Sequence, residues 1–209
     1  MSEPSCLHEI PLPKTHAHAV ARWCIRPLVN TPITPNHLTA LRLLFGLAAA
    51  GLFALGGYFW AVWGGILFVI SALLDRADGE LARLSGRMSA SGHWFDLYSD
   101  MLVNILIFVG IGFGLSGELP GIWAPVLGII AGLAVGGIFL VVFGLHHQGS
   151  HPGVAFNYPS GYDLDDALFI VALFAWFNAL LPLLFAAAIG APAFLIFAIW
   201  RSRQIKPQS

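Results

Sequence analysis

Apolar residues recur along this chain in runs long enough to cross a lipid bilayer. They occupy 38–56, 58–74, 95–115, 122–145, 167–181 and 182–200. A span needs roughly 17–25 residues at about 1.5 Å of rise each. The first four runs meet that length. The stretch 167–200 is too long for one ordinary span, and Asn178 and Pro182 divide it into two shorter helices joined by a tight turn. Before the first run, 16–28 mixes Val20, Trp23, Cys24 and Leu28 with Arg22 and Arg26, the pattern of an amphipathic helix lying on the membrane face. Thr34-Pro35-Asn36 supplies helix-start chemistry, and 117–121 is a tight turn. The longest polar loop is 146–166. The pattern predicts an all-α, polytopic membrane protein of six transmembrane helices, with an N-terminal amphipathic juxtamembrane helix. The expected organisation is a tail at 1–15, a membrane domain at 16–201 and a C-terminal tail at 202–209.

Composition agrees with lipid as the solvent. Of 209 residues, 57% are apolar and only 10% charged, against about 25% charged in an average soluble domain. The mean hydropathy is +0.78. The few basic residues also carry topology. Lys14, Arg22 and Arg26 precede the first run, Arg76, Arg83 and Arg87 lie between the second and third, and Arg201, Arg203 and Lys206 follow the sixth. With six spans all of these fall on one side, while the opposite connections hold no Lys or Arg. The positive-inside rule then predicts both termini in the cytoplasm, with a bacterial inner membrane as the expected location. A net charge of −1 without a large basic cluster gives no signal for nucleic acid, and none is expected as a partner. Cys6 and Cys24 suit neither a zinc site nor a disulfide framework. The polar, Pro-rich first 14 residues do not read as a cleaved secretory signal.

Against this scarcity of charge, carboxylates cluster where the second run ends and the third begins. The pattern is Asp75-x2-Asp78-Gly79-x2-Ala82-Arg83-x8-Gly92-x3-Asp96-x3-Asp100. Asp75, Asp78 and Ala82 share one helix face, and Asp96 and Asp100 share another. Two antiparallel helices can turn these faces together, so that four carboxylates converge near the cytoplasmic membrane boundary. A lone aspartate near a span end is ordinarily a solvated helix terminus; four at fixed gaps need a cation. Ligands that are all oxygen favour Mg2+ or Mn2+, and two such ions suit displacement at a phosphoanhydride. Small residues at Gly79, Ala82 and Gly92 let a nucleobase or diphosphate approach the backbone. Arg83 can hold phosphate oxygens or pair with a carboxylate.

The span from Asp75 to Asp100 resembles the signature of the CDP-alcohol phosphotransferase (phosphatidyltransferase) family at every defining position, and the likeness extends to 34–42 and the six-span plan. It implies a membrane enzyme that moves a substituted phosphate from a CDP-linked donor to an alcohol and releases CMP. Asp75, Asp78 and Asp96 would hold two divalent ions, with Asp100 completing the site and acting as base toward the acceptor hydroxyl. Gly79, Ala82 and Gly92 would make room for cytidine and diphosphate, Arg83 would support the site, and Asn36 would face the same cavity. The expected donor is CDP-diacylglycerol and the expected setting phospholipid biosynthesis. A homodimer is also implied, and Gly132-x3-Gly136 is compatible with close helix contact.

The chain departs from the family at Met101 and Asn104, where a basic and an acidic residue are common. Arg42, inside the first span, either lines the acceptor pocket or snorkels to the interface; Arg87 is a second acceptor candidate. Glu80 resembles members that transfer polar head groups, which keeps open a soluble CDP-alcohol donor (for example of CDP-inositol type). His146, His147 and His151 read as a solvated loop before a metal site, and Asp163, Asp165 and Asp166 as the start of the fifth helix. Of other function classes, an ion-coupled transporter would also place carboxylates in spans, but no inverted repeat is visible. An assembly protein would not need four aspartates at fixed gaps.

Overall fold

The computed structural model describes residues 31–86, 90–147 and 169–204. Six helices appear among them: α1 Pro35–Leu55, α2 Tyr58–Ser85, α3 Ala90–Gly114, α4 Trp123–His147, α5 Phe169–Trp176 and α6 Leu180–Gln204. Five are long and apolar enough to cross a membrane; α5, with 8 residues, is not. Arg87, the segment 16–28, His151, Asp163, Asp165 and Asp166 lie outside the described residues, and His146 and His147 close the backbone of α4.

Helix α1 begins where Pro35 occupies the first turn and needs no N–H partner. The Thr34 N–H donates to His37 Nδ1 at 3.3 Å. Its end is set by Gly56 and Gly57, whose φ values of 70° and 80° suit glycine and turn the chain into α2. Asn178, at φ 52°, makes the break between α5 and α6. The break therefore falls at 177–179, and Pro182 sits in the first turn of α6, where its missing N–H costs nothing, rather than beginning the helix.

The helices exceed their hydropathic runs at the end that carries the aspartates. Helix α2 does not stop at residue 74 but continues unbroken to Ser85, closed by Gly86 in the left-handed conformation. Helix α3 starts at Ala90, not at 95. Asp75 consequently lies about 15 Å of helix rise before the end of α2. The charges interrupt the apolar pattern but not the helix, because the bundle interior provides their partners.

Helix α1 packs on both α2 and α3, α4 joins α3 to α6, and α5 lies on α2. The main core includes Phe53, Phe68, Ile107, Ile111 and Leu184. A smaller cluster of Leu38, Ala77 and Leu81 locks the start of α1 to α2. Leu44, Phe59, Ile122, Phe177 and Ile189 are exposed, as lipid-facing residues are. In lipid, helix association rests on close van der Waals contact, which small residues permit. A Cβ on Gly128 would lie 2.6 Å from the Phe108 carbonyl oxygen. Gly132 and Gly136 serve the same end within the chain. A Cβ on either would come within 2.6 Å of Ile105, so this pair packs α4 on α3 and gives no support to a dimer contact.

Candidate active site

The start of α1, the end of α2 and the start of α3 meet at one end of the bundle. Asp75 and Asp78, three apart on α2, present their carboxylates to Asp96 on α3. One oxygen from each lies within 4.8 Å of the others. Asp78 is the most buried, at 3% exposure. Asp100, one turn beyond Asp96, is outside this tight group but beside it.

Arg42 ties three of the four motif aspartates together. Its Nη1 pairs with Asp75 Oδ1, with Asp96 Oδ1 at 3.3 Å and with Asp100 Oδ1 at 3.7 Å. Its Nη2 donates to the Asp96 carbonyl at 2.9 Å. With 2% exposure it does not snorkel; it is held inside by carboxylates. A buried guanidinium is tolerable there because it is forked between anions.

Two residues that the sequence reading left unassigned complete the arrangement. Thr39, buried on α1, donates its hydroxyl to Asp78 Oδ2 at 2.7 Å. Asn104 Nδ2 donates to the Asp100 carbonyl at 2.9 Å and to Asp100 Oδ1 at 3.1 Å. The spacing Thr39-x2-Arg42 places both on one face of α1, a signal legible only once α1 is known to face α2.

The other expected site residues divide. Gly79 has open space above it, since a Cβ there would meet only Arg83 Nη2, at 3.6 Å. It is not a helix-packing glycine. Ala82 and Gly92 are half-buried, and Asn36 is exposed on the first turn of α1. Arg83 takes the second of its two expected roles, donating to Glu80 Oε1 at 2.7 Å. Glu80 is fully buried while Arg83 is partly exposed.

The donor set fits a hard divalent cation. The three convergent ligands are carboxylates, and Asp96 Oδ1 is buried without a hydrogen bond, although Arg42 lies near. One guanidinium among four carboxylates leaves anionic charge in excess, which Mg2+ or Mn2+ would neutralise.

Among the described residues, six helices, five of them span-length, with acidic side chains from α2 and α3 facing each other around an α1 arginine, define a polytopic membrane protein with a polar site at one end of its helix bundle. The family model for CDP-alcohol phosphatidyltransferases matches residues 32–200, and the chain belongs to that family. It is 33% identical over 109 residues to a bifunctional IPC transferase and DIPP synthase of Aquifex aeolicus, covering 51% of this chain and 24% of that protein. It is 40% identical over 96 residues to a CDP-diacylglycerol–glycerol-3-phosphate 3-phosphatidyltransferase of Cereibacter sphaeroides, covering 44% of this chain and 42% of the relative. The chain thus spans less than half the length of these curated relatives. Its fold resembles that of a Mycobacterium tuberculosis phosphatidylinositol phosphate synthase, solved in complex with manganese and citrate. The TM-score is 0.59 at 19% identity, over 90% of this chain and 86% of that one.

Proposed function

We propose that this protein transfers a substituted phosphate from a CDP-linked donor to an alcohol hydroxyl, releasing CMP, in phospholipid biosynthesis. The observation that carries the reading is the gathering of Asp75, Asp78 and Asp96 within 4.8 Å, next to Asp100 and around Arg42. Asp75, Asp78 and Asp96, with Asp100, would hold two ions, Mg2+ or Mn2+. When bound, these supply positive charge to the donor's diphosphate.

The chain's own residues do the rest. Thr39 and Arg42 fix the carboxylates in place. Gly79, Ala82 and Gly92 leave the backbone open to cytidine and diphosphate, and Arg83 and Asn36 border the same opening. Asp100 takes the proton of the acceptor hydroxyl. The hydroxyl oxygen then bonds to the phosphorus distal to cytidine, the bond from that phosphorus to the CMP oxygen breaks, and CMP departs. Arg42 and Arg87 are assigned to the acceptor side. The membrane domain is taken as 16–201, with both termini and the site facing the cytoplasm of a bacterial inner membrane, and the protein as a homodimer.

CDP-diacylglycerol is the donor favoured, in keeping with the Cereibacter sphaeroides relative's name. A second reading, transfer of a polar phospho-head group from a soluble CDP-alcohol, rests on Glu80, which resembles members that transfer polar head groups. The test is CMP release by purified protein in lipid, with each donor class against a panel of alcohols, with and without Mg2+ or Mn2+. Metal-dependent CMP release with one pairing, lost in Asp100→Asn, supports the reading. A folded protein that binds neither metal nor cytidine nucleotide overturns it.

A further inference from the structure

Behind the aspartate group lies a recess lined by Arg42, Ser71, Asp75, Arg76, Asp100 and Asn104, with Phe68 and Val103 on its apolar side. Two polar atoms of its lining residues are buried and lack hydrogen bonds: Asn104 Oδ1 and Arg42 Nε, each on a residue 2% exposed. The orientation of the Asn104 amide is fixed by chemistry. Its Nδ2 faces a carbonyl and a carboxylate, both acceptors, so a flipped amide would set oxygen against oxygen. Oδ1 is therefore a buried acceptor to which no protein group donates, an arrangement that is costly unless a water or a ligand hydroxyl supplies the proton.

We infer that the recess is a hydroxyl-reading subsite, in which Asn104 Oδ1 accepts a hydrogen bond from a second hydroxyl of a polyol acceptor while Asn104 Nδ2 positions Asp100. This rests on the transfer reading above and names its acceptor class. The Arg42 Nε donor and the Asn104 Oδ1 acceptor together call for a group that both accepts and donates. A hydroxyl does so. A phosphate or carboxylate offers Asn104 no proton. An ammonium would donate to Asn104 but has no lone pair to accept from Arg42 Nε. Asn104 thus serves two ends: one half of its amide holds the base, and the other selects alcohols bearing an additional hydroxyl.

The two halves separate by substitution. Asn104→Asp keeps an acceptor oxygen and the shape of the side chain but replaces the donor to Asp100. Asn104→Leu removes both. The full-length protein in nanodiscs is examined with glycerol and myo-inositol as probes, by saturation-transfer NMR in Mg2+ and CDP, and by steady-state CMP release. In Asn104→Leu, polyol affinity is expected to fall about tenfold or more. In Asn104→Asp, polyol affinity stays within about threefold, while turnover with the polyol falls about 100-fold. CDP binding should be unchanged in both. Wild-type affinity for polyols in Asn104→Leu, wild-type turnover in Asn104→Asp, or no polyol binding by the wild type would each overturn the inference. If Asn104→Leu does not fold, Asn104→Ala replaces it. If polyol binding depends on Asn104 but no CDP donor yields CMP, the subsite stands and the transfer reading fails.

Discussion

Thr39 and Asp78 are joined across the α1–α2 interface by a buried hydrogen bond of 2.7 Å, although 39 residues separate them. The hydroxyl orients a carboxylate that, at 3% exposure, has little water to do so. Thr39→Val keeps the volume and removes the donor. A hydrogen bond to a charged group is worth about 1.5–3 kcal/mol, so kcat/KM is expected to fall roughly tenfold to 100-fold. The metal concentration for half-maximal CMP release should rise in parallel. Unchanged metal dependence in a less active variant would show that Thr39 acts elsewhere than through Asp78.

Arg42 is the internal counter-charge of the aspartates. Arg42→Ala leaves the partly buried carboxylates of Asp75, Asp96 and Asp100 without their counter-charge, which is expected to cost stability, by less than the loss from a fully buried pair because water screens the exposed part. Thermal unfolding in detergent should show that loss, and added Mn2+ should restore more stability to Arg42→Ala than to the wild type. Equal Mn2+ stabilisation of both proteins would contradict this electrostatic role.

Asp100→Asn preserves shape and, on the proposed mechanism, removes the base. Turnover should fall about 100-fold to 10,000-fold, the usual range for loss of general-base catalysis. Binding of CDP in the presence of metal, read by calorimetry, should persist. Loss of CDP binding with turnover would show that Asp100 acts through holding the ions rather than as the base.

Two glycines give opposite outcomes for the same change. Gly79 sits mid-helix with open space at the Cβ position, so Gly79→Ala should raise thermal stability, by about 0.5–1 kcal/mol, while weakening donor binding. Gly128→Ala forces a methyl group against the Phe108 carbonyl and should lower stability. Its melting temperature is expected to drop with donor KM unchanged in the protein that remains folded. Destabilisation by Gly79→Ala would show that the surface above it is packed.

The chelation of divalent ions offers a further check. EDTA should abolish CMP release, and Mg2+ or Mn2+ should restore it, since the convergent donors are all carboxylate oxygens. Restoration by Zn2+ alone would point to other ligands.

The helical architecture was legible because lipid imposes one simple pattern, and the turn near Asn178 was legible because two turn-forming residues interrupt an overlong apolar run. That Asp75 and Asp78 share a face could be read from spacing alone, since a helix of period 3.6 leaves little freedom over three residues, and their meeting with Asp96 followed from pairing α2 with α3 as antiparallel neighbours. Partners on α1 were not legible. Thr39 meets Asp78, and Arg42 meets Asp75, only through the relative rotation of α1 and α2, which no local pattern encodes. Asn104 registered as a departure from the family at a position whose neighbour Asp100 is one turn away. The apolar runs end short of the helices near the site because hydropathy falls at the first charge, whereas the backbone follows hydrogen bonding and continues. The Gly132–Gly136 spacing reports close approach but not which helix approaches.

Helix α2 runs without interruption from Tyr58, whose hydroxyl donates to the Trp176 carbonyl at 3.0 Å, through Asp75 and Asp78 to Ser85. A continuous helix pinned at its far end works as a ruler with a fixed angular graduation of about 100° per residue. Substituting a side chain on it changes what the site contacts; adding or deleting a single residue between Tyr58 and Asp75 swings both carboxylates away from Asp96. New substrate preferences can therefore arise on this scaffold by exchange of residues at constant length, while changes of length belong to the connections between helices.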